Sequence, residues 1–349
     1  MNPEHAPSYA SGGMTTRHVG IKQVAAAAGV SVTTVSDALT GKGRLSDSTR
    51  IRVRAAARRL GYRPNASAQN LARGRTGVLA LTISTAPGAP FILTDIDYFI
   101  QLLTAAMSMS LEHGYPMTVA GPRNGNWSNL PIDGAIVVDP VLEDAALADL
   151  KRRRIPHVTT GKDPSGDDLS YWVDNDHVAA TRIILDHLAL AGAKRVALLC
   201  GPAIHSYTID ALRSYGDWCA TAGQSEVVAF AQDGVSDSAG YAAAIELLDR
   251  RDPPDAIYAT LDRFALSAKL LAETRGLRVP DNLLLAGLSD SAASRAANLT
   301  VLHLNPEAIG SHAAELLIRQ VEGHRSGPTH VVVPAEVITR ASTSRVPSA

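Results

Sequence analysis

Short apolar runs alternate with stretches of helical periodicity from Gly77 to the end of the chain. The runs that predict β-strands are VLALTI, PMTVAG, GAIVVD, PHVTTG, RVALLC, EVVAFA, AIYAT, LLLAGL and LTVLHL. Most of them are separated by amphipathic stretches such as DYFIQLLTAAMSMSLEHG and DHVAATRIILDHLALAG. Strands that alternate with helices in this way predict a parallel, doubly wound α/β sheet covered by helices. Ligands of such sheets bind beyond the carboxyl ends of the strands.

Charge is divided unevenly along the chain. The 349 residues have a net charge of −1, but residues 1–76 contain 12 Lys and Arg against 3 Asp and Glu, which gives +9 there and −10 in the remainder. A chain of this length predicts about two or three domains. A basic amino-terminal segment followed by an acidic remainder predicts that the basic segment binds a polyanion. The alternative, a basic surface without a partner, explains the charge but not its confinement to one end.

Other features of the composition exclude several classes of protein. A hydrophobic content of 46% with 19% charged residues is typical of a globular chain with an ample core. Cys200 and Cys219 cannot build a disulfide framework, and no Cys/His spacing resembles a metal site, so neither metal nor cofactor is expected. Residues 1–18 lack the apolar segment of a signal peptide and are predicted to be a disordered tail. No apolar run could span a bilayer, so we expect a cytoplasmic protein.

Residues 19–64 have the pattern of a small helical domain. The first helix ends at Gly29, which tolerates a left-handed backbone, and Ser31 is a suitable N-cap for a second helix. A third helix is predicted to begin at Ser46 and to end at Gly61. The residues predicted to face the core are Ile21, Val24, Ala25, Ala28, Val35, Ala38, Leu39, Ile51, Val53, Ala56 and Leu60.

Two short helices joined by a turn that contains glycine form a helix-turn-helix, whose second helix enters the major groove of DNA. The residues opposite the apolar stripe of that helix are short and could contact base edges: Val32, Thr33, Ser36, Asp37 and Thr40. The cations lie elsewhere, at Arg44, Arg50, Arg52, Arg54, Arg58, Arg59 and Arg63. They could hold phosphates, although several are expected to be no more than solvated surface.

The next segment, YRPNASAQNLARGRTGVLALTIS, leads from a short helix-capable stretch into the first predicted strand. Together with VAAAAGVSVTTVS, STRIRVRAAARRLGY, and the later GP, RSYG and GLSDS, it resembles the LacI/GalR family of transcriptional repressors. The resemblance covers Val19 to Arg345. It implies a DNA-binding regulator with a DNA-binding domain at 19–64, a hinge at 65–76 and a two-lobed, periplasmic-binding-protein-like body at 77–345 that binds an effector and dimerises.

The resemblance also implies roles for single residues. Ser31, Val32, Thr33, Ser36, Asp37 and Thr40 occupy positions that read the major groove. Arg44, Ser46, Thr49, Asn65 and Gln69 occupy positions that contact phosphates or bases. Leu71 matches the hinge leucine that is inserted into the minor groove at the centre of a palindromic operator, which unstacks a base step and bends the duplex. Residues 65–73 are expected to become helical only on the operator.

Asp37 departs from the family, most of whose members carry arginine at that position to read guanine. A carboxylate cannot do this, but it can accept a hydrogen bond from cytosine N4. We therefore expect Asp37 to select a different base. The alternative is that Asp37 pairs with a nearby arginine and reads nothing.

Only part of the family's effector site is present in the cleft between the lobes. Asp174 in WVDND and Arg213 in RSYG match polar ligand contacts. At other contact positions the family's residues are replaced: Leu261 stands before Asp262 in place of an asparagine, Ser289 stands before Asp290 in place of an aspartate, Leu304 replaces a glutamine and Pro306 an aromatic residue. Unpaired hydroxyls would cost a bound polyol about 1–3 kcal/mol each, so we expect an effector other than a plain sugar.

A smaller, more apolar or singly anionic effector held by Arg213 is the hypothesis that follows. The alternative is that Arg213 and Asp174 bridge each other across the lobes in a protein without effector control. The connection AGPRNGNWSNLPIDG, which leads into the predicted strand GAIVVD, is near the minimum length for a crossover, so one face of the first lobe is expected to be trimmed.

Two rival functions fit the sequence less well. An enzyme is disfavoured because GLSDS fails the G-x-S-x-G pattern and the 11 histidines are scattered without a metalloprotease motif. A transport-linked solute-binding protein would need an export signal and would have no use for the basic head. Operators with two-fold symmetry are read by two-fold dimers, and the C-terminal ITRASTSRVPSA contains no heptad zipper of the kind that builds tetramers, so a homodimer is expected.

Overall fold

The computed structural model describes residues 19–41, 43–62, 74–84, 97–121, 127, 130–166, 170–232, 234–324 and 326–345. The chain divides into two compact units, Met1–Arg75 and Thr76–Ala349. We call the first the head and the second the body, and each is described by itself.

The head consists of three helices, α1 (Ile21–Ala28), α2 (Val32–Thr40) and α3 (Asp47–Arg59). Gly29 ends α1 with φ of 63°, a left-handed conformation that costs glycine little. The side chains of Ser31 and Ser46 cap the amino ends of α2 and α3. The buried core is formed by Val24, Ala25, Ala28, Val35, Ala38, Val53, Ala56 and Ala57.

Four core predictions for the head need qualification. Ile51 is 68% exposed, so its predicted burial was wrong. It lies two residues from Val53, which is fully buried, and positions two apart on a helix point to different faces. Ile21, Leu39 and Leu60 are only half-buried, but all three pack against the buried cluster.

The body contains, in chain order, β1 (Leu79–Ile83), α4 (Asp97–Glu112), β2 (Met117–Val119), β3 (Gly134–Val138), α5 (Ala145–Arg153), β4 (His157–Thr160), β5 (Trp172–Asn175), α6 (His177–Leu190), β6 (Val196–Cys200), α7 (Ser206–Ala222), β7 (Val228–Phe230) and α8 (Asp237–Leu248). It continues with β8 (Ala256–Ala259), α9 (Asp262–Thr274), β9 (Leu284–Leu288), α10 (Ala292–Ala296), β10 (Thr300–His303), α11 (Pro306–Glu322), β11 (His330–Val333), β12 (Glu336–Ile338) and a 3-10 turn (Ala341–Thr343).

Lobe 1 is built on a six-stranded sheet with the order β11-β5-β4-β3-β1-β2, in which every pairing is parallel. The helices α4 and α11 pack together on one face and bury its apolar side chains. Trp127 and α5 cover the other face, where the Trp127 indole donates to the Ala146 carbonyl oxygen at 3.3 Å. Among the described residues of the connection between β2 and β3, which are 120–121, 127 and 130–133, there is no α-helix, and the trimmed crossover stays a prediction.

Lobe 2 is built on a second six-stranded sheet with the order β12-β10-β9-β8-β6-β7. All pairings are parallel except that of β10 with β12. The helices α8 and α9 pack on one face, and α6 and α7 pack on the other. The two doubly wound lobes confirm the predicted architecture.

All nine predicted strands are present, but β5, β11 and β12 were absent from the prediction. Polar residues within WVDN and EVI interrupt the continuous apolar run of a buried strand, and HVVV is a short apolar run that lies largely unburied at the edge of its sheet. Because β11 belongs to lobe 1 and β12 to lobe 2, the chain passes between the lobes after β5, after β10 and after β11. Among the described residues, no helix combines the length and apolarity that crossing a membrane requires.

Candidate DNA-reading surface and effector cleft

The amino end of α2 is fixed by a side-chain cap. The Ser31 hydroxyl accepts a hydrogen bond of 3.1 Å from the Thr34 backbone N–H. Val32 and Thr33 follow in the first turn and are exposed, whereas Ser36, Asp37 and Thr40 are half-buried. Among the positions predicted to read DNA, those nearest the amino end of α2 are thus the most exposed. A recognition helix contacts the major groove through its first residues, so these residues must be accessible.

Asp37 points toward the turn that follows α2. A Cβ placed on Gly43 would come within 2.9 Å of Asp37 Oδ2, and Gly43 has φ of 76°. The Arg50 guanidinium donates to the Gly43 carbonyl oxygen at 2.9 Å rather than to the carboxylate. Within the described residues, no ion pair joins Asp37 to an arginine, so the pairing considered as an alternative is not observed there.

The predicted phosphate contacts of the head lie around α3. Ser46 and Thr49 hydrogen-bond through their hydroxyls at 2.9 Å, at the amino end of this helix. The exposed cations are Arg44, Arg52, Arg54, Arg58 and Arg59, and Arg50 is half-buried. The predicted contacts Asn65, Gln69 and Leu71, the cation Arg63 and the expected folding of 65–73 lie outside the described residues.

A cluster of polar side chains joins the two lobes at the carboxyl ends of the lobe 1 strands. Asp139 directly follows β3, Lys162 follows β4, and Asp174 lies in β5 rather than after a strand as predicted. Lobe 2 contributes His177 at the start of α6 and residues at the start of α7, namely His205, Tyr207 and Asp210. Tyr98 is added from α4. We call this set the cleft cluster.

Asp174 and His177 form a buried pair. Asp174 Oδ1 lies 3.2 Å from His177 Nε2, and Asp174 Oδ2 accepts a hydrogen bond of 3.3 Å from the Lys162 backbone N–H. Burial by itself would lower the pKa of His177, but the charge of Asp174 and the hydrogen bond to it hold that pKa above its ordinary value. The cleft therefore stabilises the imidazolium form relative to a histidine in water.

Asp139 combines a left-handed backbone conformation with a carboxyl group whose pKa is raised. Its φ is 48°, and its backbone carbonyl accepts a hydrogen bond of 3.1 Å from His205 Nδ1. Burial and then the charge of Asp174 raise the pKa of the Asp139 carboxyl to about 7, against a weaker opposing effect of His177. No hydrogen bond or ion pair to the Asp139 carboxylate is formed by the other described residues.

Arg213 is engaged on its own helix. Its guanidinium donates to Asp210 Oδ1 at 3.1 Å, and its side chain is 64% exposed. The other oxygen of Asp210 lies 3.6 Å from Lys162 Nζ, which connects α7 of lobe 2 to lobe 1. Arg213 and Asp174 thus have separate partners, and the direct bridge considered between them is not formed.

Three further contacts join the lobes. The backbone N–H of Leu142 donates to the Ile204 carbonyl oxygen at 2.8 Å. The backbone N–H of Ala292, at the start of α10, donates to the Asp97 carboxylate at 2.6 Å. The side-chain amide of Asn175 donates to the carbonyl oxygens of Leu304 and Val333, at the other two passages of the chain between lobes.

The remaining predicted effector residues lie at the carboxyl ends of lobe 2 strands. Leu261 packs against the lobe 2 core, and Asp262 follows it at the start of α9, where burial raises the pKa of its carboxyl. Ser289 has φ of 80°. Asp290 binds Arg340 at 2.8 Å and Arg295 at 3.2 Å, both within lobe 2.

The cleft cluster contains residues that the sequence reasoning missed. Asp139, His177, Tyr207 and Asp210 were not among the predicted effector residues. Asp139 could have been found, because it comes directly after the buried strand GAIVV, and ligands bind at that edge of a parallel sheet. The residues of α7 had no such signal, because their position depends on how the two lobes face each other.

Comparison with known proteins agrees with this architecture. The chain matches the family model described as bacterial regulatory proteins, lacI family, over residues 20–65, and that of a periplasmic binding protein-like domain over residues 185–343. The regulator RafR of Escherichia coli is 31% identical over 281 residues, which cover 74% of this chain and 77% of RafR. The regulator CelR of Thermobifida fusca is 29% identical over 341 residues, which cover 93% and 98% of the two chains.

A solved structure extends the agreement to three dimensions. The structure of a CelR–cellobiose complex superposes with a TM-score of 0.70 at 25% sequence identity and covers 93% of this chain and 99% of its own. A helix-turn-helix head and a two-lobed binding body together define a DNA-binding transcriptional regulator with an effector-binding domain. The chain belongs to the LacI family of bacterial transcriptional regulators. The relatives are regulators rather than enzymes, as the sequence predicts.

Proposed function

We propose that the protein is a repressor that binds a palindromic operator as a homodimer and is controlled by a small molecule in the cleft between its lobes. The proposal rests on helix α2, which is capped by Ser31 and exposes its first turn. This helix belongs to the head, which is rich in arginine. Two heads related by a two-fold axis would read two half-sites of opposite orientation. The hinge residues Asn65, Gln69 and Leu71 would join the DNA contacts at the centre of the operator.

Control by an effector requires that it bind one arrangement of the lobes more tightly than another. The contacts across the lobes supply the groups that such a ligand would rearrange, among them Asp174 with His177 and Asp210 with Lys162. The predicted effector residues Arg213, Leu261, Asp262, Ser289 and Asp290 lie at the same edges of the sheets and could contribute to binding.

The structure gives less support to an anionic effector held by Arg213. That arginine is bonded to Asp210 and largely exposed, and the side chains between the lobes include three carboxylates, at Asp139, Asp174 and Asp210. An anion would have to enter beside them. The CelR–cellobiose complex shows that a related regulator binds a sugar, and a titration of this protein with plain hexoses would test its expected failure to do so.

We also propose that Asp37 selects a base in each half-site. Support comes from its position on α2 and from the lack of an arginine partner among the described residues. A carboxylate in the groove can accept from cytosine N4. The proposed function and this role are tested together by selecting bound sequences from a random duplex library.

The selection uses the full chain, Asp37→Ala and, as a matched control, Asp47→Ala, which removes the exposed acid in the first turn of α3. A two-fold symmetric consensus is expected for the wild type and the control, with one half-site position relaxed in Asp37→Ala. Identical consensus sequences for all three proteins would contradict the role of Asp37. Failure to enrich any sequence would contradict the proposed function.

A further inference from the structure

The charges in the cleft cluster do not balance in pairs. His177 is paired with Asp174, while Arg213 and Lys162 both lie near Asp210. These pairs use the cations of the cluster, and among the described residues the carboxylate of Asp139 forms no ion pair, although His177 acts on it at longer range. A half-buried carboxylate without a directly paired cation is a site where a cation can add favourable charge compensation.

A second carboxylate of the cleft, although ion-paired, has one oxygen without a hydrogen bond. Asp210 is only 9% exposed, and its Oδ2 accepts no hydrogen bond from the described residues. Lys162 Nζ is 3.6 Å from this oxygen, within ion-pair range but beyond hydrogen-bond distance. Because Lys162 belongs to lobe 1 and Asp210 to α7 of lobe 2, this oxygen lies where the two lobes meet.

Aromatic rings from both lobes stand beside these carboxylates. Burial and then the charge of Asp139 raise the pKa of both Tyr98 and Tyr207, which places the two phenols within the field of that carboxylate. Tyr207 stacks on His205 with ring centres 5.2 Å apart and lies 6.0 Å from the His177 ring. Tyrosine rings attract cations through their π-faces, and the attraction is larger where water is excluded.

We propose that the cleft binds a small organic cation, a protonated amine or a quaternary ammonium compound, whose charge is neutralised by Asp139 beside Tyr98 and Tyr207, with Asp210 Oδ2 as a further acceptor. The inference rests on the proposed function in that it names the class of effector for the same cleft. A neutral polyol would leave the charge of Asp139 uncompensated, and an anion would add repulsion.

Binding of a cation in this cleft is linked to protonation. The pKa of about 7 means that Asp139 is largely protonated below neutral pH, and a cation must then displace the proton. The titratable groups that act on Asp139 or bond to it are Tyr98, Asp174, His177, His205 and Tyr207, and the ion pair of Lys162 with Asp210 belongs to the same cluster. Affinity for a permanently charged ligand is therefore expected to fall by about tenfold per pH unit below pH 7.

The test is calorimetric titration of the full chain, without DNA, against ligands matched in shape. Glucamine, sorbitol and gluconate differ at one terminal carbon, which carries an ammonium, a hydroxyl or a carboxylate group. Choline and 3,3-dimethylbutan-1-ol form a second pair that differs only in charge. We expect at least one cation to bind about tenfold or more tightly than its neutral counterpart, and gluconate to bind worst. Cations that bind no more tightly than their counterparts, or that do not bind at all, would overturn the proposal.

Variants assign the preference to a residue. Asp139→Asn should reduce the preference for the cation to less than about threefold and remove its pH dependence, because the amide neither ionises nor attracts a cation. Glu143→Gln makes the same change from carboxylate to amide at an exposed position nearby. It should leave the preference for the cation and its pH dependence unchanged. If Asp139→Asn fails to fold, Asp210→Asn and the wild-type comparison of charged and neutral ligands still decide the outcome.

The proposed function is tested by a separate measurement. Enrichment of an operator sequence without cation binding would overturn this inference alone. Cation binding by a protein that enriches no DNA sequence would contradict the regulator proposal but not the ligand class.

Discussion

The side-chain amide of Asn175 donates a hydrogen bond of 3.1 Å to the carbonyl oxygen of Leu304. A second bond of 2.8 Å reaches the carbonyl oxygen of Val333. One buried amide at the first passage between the lobes thereby binds the backbone at the other two passages. Asn175 directly follows Asp174, so the connection between the lobes and the cleft cluster share a segment of chain.

Asn175→Ala is predicted to lower the free energy of unfolding by about 2–4 kcal/mol, because two buried carbonyl oxygens lose their donor. The change is measured by urea denaturation of the full chain. Asn282→Ala is the control, since Asn282 is exposed and its side chain accepts one bond from Arg278, at 2.9 Å. A loss no larger than that of the control would contradict a structural role for the Asn175 amide.

Gly310 permits the close approach of α11 to α4. A Cβ at Gly310 would lie 2.2 Å from the Leu102 carbonyl oxygen, and backbone atoms cannot move aside as a flexible side chain can. Gly310→Ala gains about 1 kcal/mol of helix propensity but should lose about 3 kcal/mol to overpacking, so lobe 1 is destabilised. Thermal unfolding checks the result against Gly121→Ala, where a Cβ meets no atom within 4 Å. Equal midpoints for the two variants would refute the prediction.

Most of the fold could be predicted from the sequence, because buried parallel strands are continuous apolar runs between amphipathic helices. RVALLC and GAIVVD are clear for that reason, and both form strands. HVVV and EVI could not be assigned, because each pairs with a strand that is distant in sequence and lies at the edge of its sheet. Ile51 was misplaced because its apolar side chain was given more weight than its spacing of two residues from Val53, which puts the two side chains on different faces of α3.

The acidity of Asp139 predicts how stability depends on pH. Its pKa is about 7 in the folded protein against 3.8 for an ordinary aspartate, so folding takes up a proton between those values. The wild type therefore loses stability from this group as pH rises from about 4 to about 7. Asp139→Asn should stabilise the protein at pH 8 and do so less at pH 5, as measured by urea denaturation at both values.

The matched control for this pH effect is Glu143→Gln. Because Glu143 is exposed, the substitution should change the free energy of unfolding by the same small amount at both pH values. A stability difference between Asp139→Asn and the wild type that does not change with pH would show that the Asp139 carboxyl titrates normally.

Asp290 is predicted to stabilise lobe 2 through Arg340. Their side chains are 11% and 16% exposed and lie 2.8 Å apart, so removal of Arg340 leaves the poorly hydrated carboxylate with the half-exposed Arg295 as its remaining ion-pair partner. Arg340→Met should cost about 3 kcal/mol of unfolding free energy, whereas Arg278→Met, which breaks an exposed pair with Asp281, should cost about 0.5 kcal/mol. Similar denaturation midpoints for the two variants would argue that Asp290 is free for a ligand.

The candidate site was less accessible to sequence reasoning than the fold. Asp174 could be found because the resemblance supplied a matching position. Tyr207 and Asp210 could not, because their proximity to Asp139 depends on contacts between lobes, such as that of Asp210 with Lys162. The partner of a charged residue also decides its role, and the sequence does not show that Arg213 binds Asp210.

The salt dependence of operator binding tests DNA recognition by the basic head most directly. Affinity of the full chain for a selected duplex should fall linearly on logarithmic axes, with a slope of about −0.9 for each phosphate neutralised. With several arginines in contact, the loss between about 50 and 200 mM salt should reach about a thousandfold. An affinity that does not change with salt, or no selected duplex at all, would contradict the assignment of the head as the DNA-binding unit.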